Sequence, residues 1–552
     1  MPEAVTDRGF DDPPPLGWKT GAGVLGLYLA CVAVATYPCV LTPHATLPGH
    51  VDAVQHLTVL RWYRTCLLEG RSPLSFPEIQ YPAGATLGSF TPLHLQALLF
   101  VPLSLAVRND ILCYNVLWWT SFLLAGTGTF ALARRLHGGF ASAWFAGLLA
   151  MLGGPMMLRA NGHLELMYIG LFPLFLLAWA RFVDRPGRGG LFRASALYVL
   201  TAMAAAYFAV LAAVPAALYV AYGAAREGAR SRAGWLARRA AWLLAFAGVS
   251  LPPLLLLFAG HLRNAAGGEP VSRPFAEFVK MGVPPWGYLV PTLHHAAGRA
   301  FGVEAYYSAG YPAVECASYL GAVTVALILY AVARRVGFRQ APIGWVAVAA
   351  RVVLSFGAYV GVGRFRVPRP ARWLGKGVFV FRLIRTPARF NLLAAVLAAV
   401  LASAGLRDLL GRLPTRKARG AVLGLLTALT VADLAMVPFQ TGPLPQMPGC
   451  YAFLRGQGRE MTLLELPLHG SGNADELSAL CGYWQLAHRG RTTGGYSSLA
   501  NESFDHQLVH NSPFSALAMA EPGYLADPGR SSFGIVRSRL SRLRLALHGS
   551  TA

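Results

Sequence analysis

Charge is what this chain has least of. Only 13% of its 552 residues are Asp, Glu, Lys or Arg, whereas 55% are hydrophobic. A soluble chain of this size carries about twice that charged share, so water-soluble domains are excluded as the main architecture. Cysteine is sparse as well: there are seven, without metal-ligand spacing. Cys31, Cys39, Cys113 and Cys316 lie in or beside apolar runs and read as small core residues. Cys450 and Cys481 fall in the C-terminal segment and are candidates to pair if that segment is extracytoplasmic. His294, His295 and Glu304 match no standard metal site. The phosphate-binding lysine loop, the Gly-x-Ser-x-Gly elbow and the His-Glu-x-x-His zinc helix are all missing. No glycine-rich loop points to a cytosolic nucleotide donor.

What the chain does have is long apolar runs separated by arginine clusters. The mean hydropathy is +0.45. The net charge of +23 invites a nucleic-acid partner, but its distribution argues for none. Arg134-Arg135, Arg181 to Arg188, Arg226 to Arg239, Arg334-Arg335 and Arg407 to Arg419 sit at the ends of apolar runs. That is the positive-inside pattern of a membrane protein, with added attraction to anionic lipid. The segment Met1 to Pro15 is acidic and proline-rich, without the basic start of a signal peptide, so the first span is expected to stay as an anchor.

Matching runs to clusters predicts about eleven transmembrane helices, with the N-terminus cytoplasmic and the C-terminus extracytoplasmic. The expected spans lie near 18–41, 111–133, 140–158, 165–182, two short ones within 194–223, 235–259, 316–333, 342–362, 390–406 and 420–438. The first external loop is 43–109. It carries a helix from about Ala53 to Leu68 with one polar and one greasy face, read as interfacial, and a shorter apolar run, Leu93–Val107, that lies in the interface or dips into the membrane. The chain divides into a transmembrane domain, 1–440, and a small extracytoplasmic α/β domain, 441–552, with a strand-like run at Met461–Pro467.

Several polar residues stand out. Asp52 opens the helix after the first span, at the lip of the bilayer. It reads either as an N-cap with Gln55 three residues on or as a carboxylate facing a cavity, with His56 one turn along the same face. His163, at an external helix end, either caps or hydrogen-bonds at the interface or contacts phosphate or sugar. Glu315 begins an apolar run, where an ionisable group is a functional candidate or a partner of the helix dipole. Arg382, Arg385 and Arg389 lie on the outer side, against the charge bias. Their guanidinium forks suit phosphate oxygens, and snorkelling is the competing reading. Arg351 and Asp433 are the charges within expected spans away from their ends, and are able to pair.

Several stretches, taken in order, carry a resemblance. They are Val51-Asp52-Ala53-Val54-Gln55, Tyr81-Pro82-Ala83-Gly84, Leu132-Ala133-Arg134-Arg135-Leu136, Gly162-His163-Leu164, Glu315 with Tyr319-Leu320-Gly321, Arg385-Thr386-Pro387-Ala388-Arg389-Phe390, and Leu464-Glu465-Leu466-Pro467. The chain resembles type C (GT-C) membrane glycosyltransferases, and within them a YfhO-like group of bacterial membrane proteins. The resemblance implies an inverting hexosyl- or pentosyltransferase in the bacterial inner membrane. It would move a sugar from a polyprenyl-phosphate donor to a lipid, glycan or protein acceptor at the outer face. It further implies Asp52 as the base, where many members have two adjacent acids and this chain has one. His56, His163, Glu315, Arg385 and Arg389 are the expected substrate contacts. No resident cofactor is expected, and a divalent cation stays open. The partners implied are the lipid-linked sugar and membrane lipid. The competing reading is a lipid-glycan transporter or assembly factor of the same fold without the chemistry.

Overall fold

The computed structural model describes residues 14–495 apart from position 50 and segments 87–92, 260–261, 263–274, 293–294, 296–297, 299–301, 309–312, 337–341, 363–364, 379–380, 382–385, 458–460 and 466–475. Two compact units emerge. One comprises 1–60, 92–262 and 270–444; the other comprises 61–91, 263–269 and 445–552.

The first unit is helical. Its principal helices are α1 (Trp18–Ala35), α2 (Val51–Leu68, which runs on into the second unit), α3 (His94–Val107), α4 (Asp110–His137), α5 (Phe140–Leu152), α6 (Gly154–Arg159), α7 (Leu164–Asp184), α8 (Arg188–Ala204), α9 (Ala206–Arg226), α10 (Gly228–Leu257), α11 (Ala313–Cys316), α12 (Ala322–Ala333), α13 (Pro342–Ser355), α14 (Phe390–Arg412) and α15 (Arg416–Leu434). Six of the described helices are long and apolar enough to cross a bilayer: α1, α4, α7, α9, most of α10, and α14 with the turn before it. Four shorter apolar helices accompany them.

Burial separates core from rim. In the span containing α14, 78% of the apolar window is buried, against 6% in that of α10. An apolar helix with water on neither side is a core element, whereas one with Leu244 and Leu256 pointing outward needs lipid around it. Helix α14 packs against α5, α12 and α13. Its buried side is built of alanine, leucine and valine, which lets backbones approach. This is a multi-pass membrane protein.

Several expected spans are interrupted. The run near 140–158 breaks at Gly153 into α5 and α6. The run near 316–333 leaves helix after Cys316, and α12 begins after Gly321 at φ +92°. The run near 342–362 ends as helix at Ser355; Tyr359–Val362 then pairs antiparallel with Phe365–Pro368. Hydropathy averages over a window and does not register a single glycine that turns the chain. The 194–223 stretch breaks at Ala205, close to Tyr207 as expected. Helix α2 differs from the interfacial expectation, because Ala53 through Leu60 are buried on all faces.

The second unit pairs Ser75–Phe76 with Ala85–Thr86, and Thr462–Leu463 in parallel with Arg491–Thr492, beside α16 (Glu476–His488). Segment 61–91 is knitted to the C-terminal residues. Tyr81 N–H donates to the Thr492 carbonyl at 2.9 Å, Gln80 N–H to that of Gly494 at 3.1 Å, and Arg489 meets Glu69 at 2.9 Å. Trp62 stacks on Phe76 at 4.0 Å. Cys450 is exposed and Cys481 buried, with no disulfide between them. Residues 496–552 of the expected C-terminal domain lie outside the described residues.

Candidate active site

Four chain segments of the first unit converge at one end of its helices. The first leads into α2. Thr46–Pro48 pairs antiparallel with Thr441–Pro443, and Asn115 donates to the carbonyls of Pro43 at 2.7 Å and Thr46 at 2.8 Å. Gly49, at φ +78°, then turns the chain. A Cβ there would lie 2.6 Å from the backbone carbon of Asn161, so only glycine allows the two loops to touch. Asn161 donates to Gln440 Oε1 at 2.8 Å and locks the second segment to the same frame.

The result is a row of alternating carboxylates and imidazoles. Asp52 Oδ2 lies 3.5 Å from His163 Nε2; His163 Nδ1 lies 3.5 Å from Glu165 Oε1; Glu165 Oε2 lies 3.3 Å from His56 Nε2. Beside this branch stands a second. Arg389 grips both oxygens of Glu315, with Nε at 3.1 Å, and its guanidinium lies 4.5 Å over the Tyr207 ring. Arg159 donates to the Glu315 carbonyl at 2.7 Å and lies 3.8 Å from its carboxylate. Asn391 steadies the chain just after Glu315 by donating to the Ala317 carbonyl at 2.7 Å.

Exposure is graded along the row. The Asp52 side chain is 31% exposed and that of His163 18%, while those of Glu165 and His56 are 3% and 2%. Asp52 is therefore the end open to a substrate, and Glu165 and His56 back it. Burial alone would lower the His163 pKa, but the carboxylates of Asp52, Glu165 and Glu315 outweigh it and lift the imidazole to about 9. His163 is thus a cation at neutral pH. His56 goes the other way, because burial holds its pKa below the ordinary value despite Glu165 and Asp52. Burial would raise the Glu315 carboxyl, yet Arg389, Arg159 and His163 hold it well below the usual range.

Five of the six residues expected from sequence, Asp52, His56, His163, Glu315 and Arg389, come together here; Arg385 lies outside the described residues. Two expectations of detail change. Helix α2 starts at Val51, so Asp52 sits inside its first turn with its carboxylate toward His163, and the N-cap role falls away. His163 stands at the N-cap position of α7 without making a side-chain cap bond, because its ring is taken by carboxylates. Glu165, Arg159 and Tyr207 were not anticipated. Their signal was in the sequence: Arg159-Ala160-Asn161-Gly162-His163-Leu164-Glu165 packs three ionisable groups around a glycine between two apolar runs.

Arg351 and Asp433 do not pair. Arg351 is fully buried, donates to the Leu211 carbonyl and faces the rings of Phe172 and Phe390. Asp433 accepts from Tyr319 and the Ala322 N–H, both at 2.8 Å, and contacts His295 at 3.0 Å. Among the described residues, no three His, Cys, Asp or Glu side chains are grouped to hold a metal ion.

No protein-family model matches the chain, and no curated protein matches it by sequence. Solved structures do match. The Archaeoglobus fulgidus oligosaccharyltransferase in its apo form is similar over 88% of this chain and 68% of its own, with 13% identity and a TM-score of 0.52. The same enzyme with zinc and sulfate is similar over 86% and 62%, at 14% identity and 0.50. The arabinofuranosyltransferase AftD from Mycobacteria is similar over 88% of this chain and 32% of its own, at 15% identity and 0.53. The chain thus spans from about a third to two thirds of the length of these neighbours. The likeness is one of fold: this chain is folded like those membrane transferases.

Proposed function

We propose that this protein is an inverting glycosyltransferase of the bacterial inner membrane, with about eleven membrane helices and the site on the outer side. It takes a sugar from a polyprenyl-phosphate carrier and gives it to a lipid, glycan or protein acceptor. The observation that carries the reading is the partly exposed Asp52 carboxylate at the open end of a buried charge row, on the fold of known sugar transferases. The acceptor heteroatom attacks the anomeric carbon from the face opposite the phosphate. A new bond forms with inversion, the acceptor proton passes to Asp52, and the electron pair of the broken bond leaves on the phosphate oxygen.

Protonated His163 supports this by keeping Asp52 oriented at 3.5 Å. Arg389 is held by Glu315, so its contribution is a fixed positive potential unless donor phosphate displaces that carboxylate. The transporter alternative is less supported, since Arg351 and Asp433 are both engaged by local partners.

The test is sugar transfer by purified protein from a panel of polyprenyl-phosphate sugars to extracted envelope lipids and glycans. Turnover that requires Asp52 supports the proposal. Release of donor lipid across the bilayer without sugar transfer would establish the transporter instead.

A further inference from the structure

The charge row lies at one end of α4 and α7; a second feature occupies the other. Tyr114 and Leu164 stand near the row, while Arg134, Arg135 and Arg181 lie about 20 residues further along the same helices. At 1.5 Å per residue that is a separation of roughly 25–30 Å, about the thickness of a bilayer's hydrocarbon core. Between α1, α4 and α7 at that far end is an open cleft of about 400 Å³. Its lining combines Val24, Phe130 and Leu177 with Arg134, Arg135 and Arg181. Arg134 also donates to the Pro14 carbonyl at 2.7 Å, which fixes the chain entering α1 beside the cleft.

An apolar lining joined by three arginines, about a bilayer's thickness along the helices from the charge row, matches one chemistry. We propose that the cleft binds a single anionic phospholipid of the leaflet opposite the charge row, its phosphate among the three arginines and the start of an acyl chain against Val24, Phe130 and Leu177. Guanidinium forks suit phosphate oxygens, and the apolar walls favour a lipid over a free anion. This site is separate from the one proposed for sugar transfer, and it stands whether or not that reading does.

The experiment uses full-length protein in phosphatidylcholine nanodiscs with phosphatidylglycerol added in steps, and native mass spectrometry to count retained lipid. One phosphatidylglycerol should be held above the background. Each of Arg134→Gln, Arg135→Gln and Arg181→Gln should weaken it about fivefold, the scale of one basic residue at a membrane surface. Equal retention in the triple variant overturns the proposal in favour of a diffuse lipid belt. Equal competition by soluble glycerol phosphate overturns it in favour of a free-anion site. Binding seen only after Asp11→Asn and Asp12→Asn overturns it in favour of the chain's own acidic segment as occupant. A photoreactive phosphatidylglycerol keeps the test open if the triple variant fails to fold. On wild-type protein it should label peptides within 14–25, 127–135 or 177–181, and labelling confined elsewhere sinks the site.

Discussion

The two branches of the charge row use different cations, and that difference separates their roles. In one, His163 bridges Asp52 and Glu165, with His56 behind Glu165; in the other, Glu315 is held by arginines. Imidazole can lose its proton, as His163 does near pH 9, whereas guanidinium stays charged. The histidine branch also reaches solvent at Asp52, while Arg159 is fully buried and Arg389 nearly so. One branch is equipped to move a proton. The other is a fixed electrostatic platform, bought with the desolvation of three charges.

The sharpest way to break that contrast is Asp52→Asn. The amide keeps the size and the position in the first turn of α2 but cannot accept a proton. Transfer should fall by roughly two to four orders of magnitude, the usual scale for a general base, while the unfolding midpoint drops only modestly as His163 loses one of its carboxylate partners. Near-normal turnover would reduce Asp52 to a structural residue. On the arginine branch the ranking reverses. Glu315→Gln leaves two buried guanidinium groups facing a neutral amide, and breaking such a pair costs about 3–5 kcal/mol. Its signature is a large loss of thermal stability, read by calorimetry or fluorescence. A Glu315→Gln protein as stable as wild type would show that the platform reading is wrong.

How far these branches could be read from sequence follows from the same chemistry. Asp52, His163, Glu315 and Arg389 are legible because each is an ionisable residue placed beside a long apolar run, where such a group needs a reason. Their pairing is not legible. Arg159 and Arg389 meet Glu315 from 156 and 74 residues away, and nothing local encodes that meeting. Glu165 is hidden because an acid in the first turn of a helix has an ordinary explanation. The breaks at Gly153 and Gly321 are hidden for the reason already given, that a hydropathy window averages over them. The grouping of 61–91 with the C-terminal residues escapes any reading by adjacency, since the backbone bonds of Gln80 and Tyr81 cross more than 400 positions.

The histidines give the contrast a pH signature of intermediate size. His163 binds its proton more tightly folded than unfolded. Its stabilising contribution is therefore complete below about 6.5 and gone once pH rises past about 9. The shift corresponds to at most about 3 kcal/mol. His56 has the opposite sign: its depressed folded pKa costs stability as pH falls below about 6.5. The unfolding midpoint should peak near neutrality, and His163→Gln should flatten the alkaline limb while leaving the acid limb. An alkaline slope that survives His163→Gln would assign that limb to other groups.

The smallest expected effect tests whether geometry alone, without any change of charge, is felt on the histidine branch. Gly162 has φ +119°, a conformation that L side chains rarely adopt, and a Cβ added there would sit 3.4 Å from the Asp52 Cβ. That distance is ordinary contact, so alanine is not expelled by its neighbour. The cost of Gly162→Ala is backbone strain of roughly 1–3 kcal/mol, and the chain can relieve it only by shifting the loop that carries His163. The Asp52–His163 separation should change while every charge stays in place. Transfer should fall by about tenfold or less, well short of Asp52→Asn, and both limbs of the stability profile should persist. A loss as deep as that of Asp52→Asn would mean that the branch works only as a rigid pair. Unaltered turnover would mean that Asp52 acts without His163 beside it.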